Sequence, residues 1–289
     1  MSGTSAAERA PSILQQLLRQ AVLIAVSIVT IYPVLWVFKT ALTPGAALSG
    51  GVSPIPVDPS LANFVEVMGA TDSSGRPVFW RQVSNSVIVS LATTVLGITL
   101  STTAAYGFAR FEFPGKDAGM KAFLVTQMFP GVVMAIPLYI LLDAVHLLDS
   151  MAGLTLVYST TNVPFCVWML KGYFDTIPSD LEEAAVMDGA DRWTIFTRII
   201  LPLARPAIVV TALFSFMTAW NEYILAATFL SDERSATLPV VLQRYAGSFS
   251  TDWGLFAAGA ILTSLPVMAL FFALQRHLVG GLTAGSVKG

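Results

Sequence analysis

Apolar residues in this chain gather into long uncharged runs, not the alternating or every-third pattern of a water-facing fold. Six runs stand out, at 21–38, 82–109, 122–142, 150–170, 206 to about 230, and 253–275. A helix crossing a hydrocarbon core of about 30 Å needs about 20 such residues, so each run predicts one span. The runs are continuously apolar, which excludes a membrane β-barrel, whose strands alternate. The expected fold is all-α and polytopic, with six transmembrane helices. Residues 1–20 form an N-terminal tail, 21–42 the first transmembrane helix and 43–81 an outer loop. A five-helix core then spans 82–279, with a long inner loop at 172–203, and 280–289 is a Gly-rich tail. The first run is read as an uncleaved anchor, because no small-residue cleavage site follows it.

Charge placement gives orientation. With the N-terminus inside, five of the 16 Lys and Arg lie outside (Lys39, Arg76, Arg81, Arg234, Arg244) and the remainder inside. That bias places both termini in the cytoplasm. Composition agrees: 55% of residues are hydrophobic and only 12% charged, too few charges for a soluble enzyme of this length. A net charge of −2 excludes a nucleic-acid binder resting on a basic surface. One cysteine, Cys166, excludes an internal disulfide. Two histidines argue against a His-based catalytic metal site. No metal, cofactor or catalytic residue is assigned to the chain.

The inner loop at 172–203 is the most informative stretch. Ser179 with Glu182 three residues later reads as a capping box. Asp180, Glu182 and Glu183 fall in the first turn, where the helix dipole favours negative charge. Gly189 is placed to stop the helix in a left-handed conformation. Asp191 can cap a second short helix, which Pro202 bounds. Leu181, Ala184, Ala185 and Asp188 share one side, with alanines small enough for another surface to approach closely.

Glu183-Ala184-Ala185, then Gly189, Ile199 and Leu201-Pro202 at this spacing resemble the EAA loop of ABC importer permeases. Asn85-Ser86 and the strings AYGFARFEFPGK, QMFPGVV and QRHLVGGLTAGSVKG are similar to the smaller six-span permease of the maltose type. The resemblance covers nearly all of residues 80–289. It implies that Glu182, Glu183, Ala184, Ala185, Gly189, Ile199, Leu201 and Pro202 couple to an ATPase subunit. It implies that the tail, through Gly285 and Lys288, reaches into the ATPase dimer. The implied partners are a second homologous permease, two ATP-binding cassette subunits and an extracytoplasmic sugar-binding protein, in an inner membrane. The implied function is import of maltose or maltodextrin by alternating access, with another oligosaccharide such as a trehalose-like one as the alternative. ATP hydrolysis belongs to a partner chain: Gly115-Lys116 is followed by Asp117 and lacks the earlier Gly of a P-loop.

Polar residues within the runs mark a pathway or a packing contact. Glu222, between Asn221 and Tyr223, is the one carboxylate inside a run and reads either as an interfacial group or as a cavity-lining one. Thr160, Thr161 and Asn162 either line a polar cavity or bond between helices. Gln127, Pro130, Gly131 and Pro137 make the third span bent or broken. A rival reading of the whole chain is an ion-coupled secondary transporter that uses Glu222.

Overall fold

The computed structural model describes residues 12–45, 53–247 and 251–284, and side chains only as far as 275 in its last helix. Among these residues the fold is helical, with two isolated β-bridges, Thr71 to Pro77 and Ala246 to Thr251. Three helices are long and apolar enough to cross a membrane: α1 (Ile13–Leu42), α3 (Phe79–Arg110) and the Trp253–Gln275 part of α13 (Trp253–Ala284). Between α1 and α3 lies the short α2 (Ala62–Met68), started by Ser60, whose hydroxyl accepts from the Ala62 N–H at 3.1 Å.

The third run is two helices, α4 (Lys116–Met128) and α5 (Gly131–Ala144), bent by 103°. Phe129 lies between them with extended backbone at φ −78°, ψ 125°. Pro130 imposes this, since a proline drives the residue before it out of the helical region. The fourth run is one helix, α6 (Met151–Phe174). Its 24 residues are long enough for a span at about 1.5 Å each, but Ser159, Thr160, Thr161 and Asn162 dilute its apolar content and it is not among the helices apolar enough to cross by composition.

The fifth run departs from expectation. After α7 (Asp180–Met187), α8 (Arg192–Ile195), a π-helical turn (Phe196–Ile200) and α9 (Leu201–Leu203), the chain bends by 76° into α10 (Arg205–Asn221). The helix stops at Asn221 and does not continue to about residue 230. Glu222 is extended at φ −71°, ψ 128°. Its carboxylate accepts from the Leu225 and Ala226 N–H groups at 2.9 and 3.1 Å, starting the separate α11 (Ile224–Phe229). A short α12 (Leu238–Tyr245) follows, which the hydrophobic pattern does not reveal.

The last helix also corrects a sequence expectation. The Gly-rich tail expected from residue 280 begins as helix: the backbone stays helical through Gly280 and Gly281 to Ala284. Adding residues to a long existing helix avoids the nucleation step, so each Gly costs only about 1 kcal/mol. Gly285 and Lys288 lie outside the described residues.

The chain divides into two compact units. The first holds Met1–Val67 and Ala246–Ile261. In it α1 is exposed along most of its length, with only Lys39, Thr40 and Ala41 buried, as a lipid-facing helix requires. The buried Asn63 amide donates to the Ala41 and Thr43 carbonyls at 2.9 and 3.0 Å, tying α2 to the end of α1. Gly254 packs so closely that a Cβ there would lie 2.7 Å from Asn63 Nδ2 and 2.9 Å from the Gly45 carbonyl.

The second unit holds Met68–Tyr245 and Leu262–Gly289, built on α3, α6 and α10. The buried face of α3 carries Gln82 and Asn85 near its start and then Ser86, Ser90, Thr93, Gly97 and Ser101, small residues that allow close helix approach in a membrane. A Cβ on Gly97 would lie 3.7 Å from Ser215 Oγ of α10. Asn162 Nδ2 of α6 donates to the Ser215 carbonyl at 3.3 Å, and Ser101 Oγ of α3 donates to the Val163 carbonyl at 3.3 Å. At one end of α3, Asn85 Nδ2 donates to the Arg234 and Ala236 carbonyls at 2.8 and 3.0 Å, and Ser86 Oγ accepts from the Leu238 N–H at 2.8 Å.

Candidate functional site

The two arms α7 and α8 form the expected helix–turn–helix, though not with every expected contact. Gly189 stands at φ +83°. The Gly189 N–H donates to the Val186 carbonyl at 3.0 Å and the Ala190 N–H to the Ala185 carbonyl at 2.9 Å. That pair of bonds is the Schellman ending, which needs a left-handed residue at the Gly189 position. Asp191 caps α8 by accepting from the Thr194 N–H at 3.0 Å. The bonds to Thr194 hold its carboxyl below the ordinary carboxylate range. Pro202 has no N–H to give to the Arg198 carbonyl, and the turn before it is π-helical.

The capping box does not form. Ser179 has helical backbone and makes no side-chain cap bond. Glu182 is engaged elsewhere: its carboxylate accepts from Arg110 Nε of α3 and, at 2.9 Å, from the Tyr106 hydroxyl. Both members of the Arg110–Glu182 pair are only 15% exposed. A guanidinium offers a stronger, charge-assisted partner than a backbone N–H, so it takes the carboxylate.

The shared face expected for Leu181, Ala184, Ala185 and Asp188 is divided. Ala185 is buried in an apolar cluster with Ala105, Leu170, Phe174, Ile195 and Ile200, against which Ile199 also packs. Leu201 and Pro202 are half-buried. Glu183, Ala184 and Gly189 are exposed, beside Val186 at 58%, Met187 at 87% and Trp193 at 66% exposure. Large apolar side chains this open, next to carboxylates, make a patch rimmed by charge.

A second feature lies at the break between α4 and α5. A cavity of about 530 Å³ is lined by Thr126, Gln127, Thr160, Thr161, Asn162 and Thr218, and by the rings of Phe129, Phe165 and Phe214. Gln127 Nε2 donates to the Thr161 carbonyl at 3.0 Å, holding the open break against α6. Several hydroxyls and three rings in one concave space suit a polar ligand with apolar faces. Thr161 and Asn162 are among the lining residues, and Asn162 also bonds across to α10, so both alternatives read from the sequence have a counterpart in the structure. Glu222 and Asn221 do not line this cavity. Glu222 caps α11 and accepts from the Tyr158 hydroxyl at 2.6 Å, while Asn221 Nδ2 donates to the Met217 carbonyl at 2.9 Å. Sequence reasoning did not bring Gln127 and Phe214 to Thr161, because two other helices supply them, whereas Phe165 lies one turn along the same helix and helical spacing could have found it.

Residues 97–283 match the family described as binding-protein-dependent transport system inner membrane component. The chain belongs to this family. It is 40% identical over 273 residues to the maltose/maltodextrin transport system permease protein MalG of Vibrio vulnificus, covering 90% of this chain and 91% of that one. It is 37% identical over 259 residues to the trehalose transport system permease protein SugB of Mycobacterium tuberculosis (89% and 92% covered). It is 36% identical over 260 residues to the diacetylchitobiose uptake system permease protein DasC of Streptomyces coelicolor (90% and 92% covered). The fold matches a chain of a bacterial ABC transporter that imports the acidic polysaccharide alginate. The TM-score there is 0.74 at 23% identity, covering 93% of this chain and 99% of that one. The protein is therefore an inner-membrane ABC importer permease, a transport subunit and not an enzyme, and the ATPase is a separate subunit.

Proposed function

We propose that this permease imports a di- or oligosaccharide of the maltodextrin kind by alternating access. The observation that carries the coupling half of this reading is the open patch of Glu183, Val186, Met187 and Trp193 on a helix–turn–helix whose other face is buried. A patch so placed suits a groove on the ATP-hydrolysing subunit, with Glu183, Ala184 and Gly189 against it and Ala185, Ile199, Leu201 and Pro202 holding the motif to the spans. In this reading the loop at 172–203 and both termini are cytoplasmic, and the tail through Gly285 and Lys288 reaches the ATPase pair. A homologous permease completes the path, and a sugar-binding protein delivers substrate outside, at the surface that includes the 43–81 loop.

The cavity beside Thr161 and Asn162 forms part of the path. Its hydroxyls exchange hydrogen bonds with sugar hydroxyls, and Phe165 and Phe214 offer ring faces to the apolar faces of a pyranose. Maltodextrin is preferred because the relatives named for it include MalG at 40% identity and the maltodextrin permease MdxG of Bacillus subtilis at 35% over 264 residues. Trehalose and diacetylchitobiose relatives stand within a few percent, so a related disaccharide is the alternative. Reconstitution in proteoliposomes with the partner permease, ATPase and binding protein tests both points. Uptake of labelled maltotriose should require ATP, resist a protonophore, and be competed more strongly by maltose than by trehalose. Uptake without ATP that collapses with the protonophore would overturn the reading in favour of ion coupling. Stronger competition by trehalose would move the substrate.

A further inference from the structure

We propose that Tyr106, Arg110 and Phe111, at the end of α3, are positioning residues that lock the helix–turn–helix to the span bundle. None of them belongs to the loop motif. The proposal rests on the reading of α7 as the ATPase-docking element and adds what connects that element to the membrane.

The need for a lock follows from the size of α7. It has eight residues, and the one it buries, Ala185, contributes a single methyl group. A helix this short is marginal alone, and a methyl contact resists neither tilting nor sliding. Directional contacts from α3 supply what is missing. Arg110 uses two arms of its guanidinium. Nε donates to the Glu182 carboxylate on α7, and Nη2 donates at 2.9 Å to the Ile177 carbonyl, in the link entering α7. Tyr106 donates to the same carboxylate, and its ring lies 4.8 Å from Phe196 and 6.3 Å from Phe174. Phe111 lies 4.8 Å beneath the Arg192 guanidinium, the first residue of α8. One helix turn and a half of α3 therefore touches the entry link, α7, α8 and the π-helical turn. Neither arm can tilt away from α3 without parting an ion pair, a hydrogen bond or a cation–π contact. A push on α7 then moves α3 instead of being absorbed in the loop.

The test uses the whole transporter in proteoliposomes, reading sugar moved per ATP hydrolysed and retention of the ATPase subunit in a pull-down. Arg110→Gln should lower sugar per ATP at least tenfold, with retention within twofold of wild type, because the exposed patch is untouched. Arg110→Lys should recover part of the loss, since an ammonium can reach Glu182 but cannot also hold Ile177 in a fork. Glu182→Gln should lower the ratio too and add nothing further in the Arg110→Gln background, as expected of partners in one contact. Spin labels at Met187 and Lys121 should give a single narrow distance in the wild type and a broad one in Arg110→Gln. Should Arg110→Gln fail to insert, Tyr106→Phe and Arg110→Lys keep the fold and still lower the ratio. Unchanged sugar per ATP in these variants, or fully additive losses for Arg110→Gln and Glu182→Gln, overturns the lock. Met187→Asp separates it from the docking reading. Retention that survives Met187→Asp sinks the docking reading, whereas retention lost in Met187→Asp with a silent Arg110→Gln sinks only the lock.

Discussion

Gly189 offers the sharpest perturbation of the proposed coupling loop, because its surroundings isolate one physical effect. Its φ is +83°, and a Cβ added there would meet nothing within 4 Å. Substitution therefore strains the backbone without a clash inside this chain. A non-glycine residue in the left-handed region costs roughly 1–2 kcal/mol, and a β-branched one up to about 3. At about 1.4 kcal/mol per factor of ten, Gly189→Val should depopulate the native turn by up to roughly a hundredfold, Gly189→Ala roughly tenfold, and Gly189→Asn least, since Asn tolerates this region. The bonds at risk are those from the Gly189 and Ala190 N–H groups, which set the angle between α7 and α8. Insertion depends on the apolar runs and should not change. In proteoliposomes with equal subunit ratios, verified by immunoblot, ATP-driven sugar uptake should fall in the order Asn, Ala, Val, while ATP hydrolysis falls less. Normal uptake by Gly189→Val at normal expression would refute the reasoning. Equal damage from Asn and Val would show that lost space against a partner, and not backbone strain, governs the site.

Three further outcomes are expected. Glu183→Lys, reversing an exposed charge on the α7 patch, should weaken retention of the ATPase subunit in a pull-down, and unchanged retention would count against direct contact. Gly153→Ala should lower the melting temperature of the purified protein in detergent, because its Cβ would run into the Leu147 carbonyl oxygen; an unshifted melting curve would mean that the 146–150 turn yields freely. Asp72 gives a pH signature. The Arg76 N–H bonds its carboxylate first, with Ser74 and the Arg76 guanidinium adding, so its folded pKa is lowered. Stability from a lowered carboxylate pKa is present above the unfolded value, about 3.9, and is lost as pH falls through the folded one. Asp72→Asn should therefore melt below wild type at pH 7, and the two curves should converge as pH falls below the unfolded carboxylate value and through the lowered folded one; a gap independent of pH would rule out ionisation as the cause.

What could be read in advance from the chain was whatever is local in sequence. The apolar runs give the helical membrane fold, though among the described residues three single helices and two bent pairs, not six, are apolar enough to cross; Pro130 gives the break between α4 and α5, and Gly189 and Asp191 give the end of one arm and the start of the next. Each depends on a residue and its neighbours within about four positions. The misreadings share the opposite property. Ser179 and Glu182 have the spacing of a capping box, but spacing cannot show that Arg110 lies opposite, 72 positions earlier. Glu222 is a mixed case: the N–H groups it caps lie three and four positions on, whereas the Tyr158 hydroxyl that donates to it is 64 positions earlier. The face expected for Leu181, Ala184, Ala185 and Asp188 treated alanines as a contact surface. Packing decided which alanine faces Leu170 and Phe174 and which faces outward. The cavity was half legible for the same reason: Thr161 and Asn162 are adjacent, but Phe214 is far along the chain.

The distribution of directional bonds along α3 bears on what can move. At about 1.5 Å per residue, its 32 residues extend roughly 48 Å, longer than a hydrocarbon core. At one end Asn85 and Ser86 bond to the 234–238 segment, and Gln82 Nε2 donates to the Glu233 carbonyl at 3.3 Å. At the other end Tyr106, Arg110 and Phe111 grip the helix–turn–helix. Between them the contacts with α10 are of a different kind. Among the described residues no hydrogen bond joins α3 to α10, and the buried Ser90 and Thr93 hydroxyls of α3 have no hydrogen-bond partner. Small side chains meeting without directional bonds permit sliding, as in shear motions between packed helices. Bonds concentrated at the ends oppose slippage there. In its middle α3 is bonded to α6, through Ser101 and the Val163 carbonyl, but not to α10, so it can move past α10 as one piece with α6. A shift of the helix–turn–helix at one end is then carried along α3 to the 233–238 segment at the other.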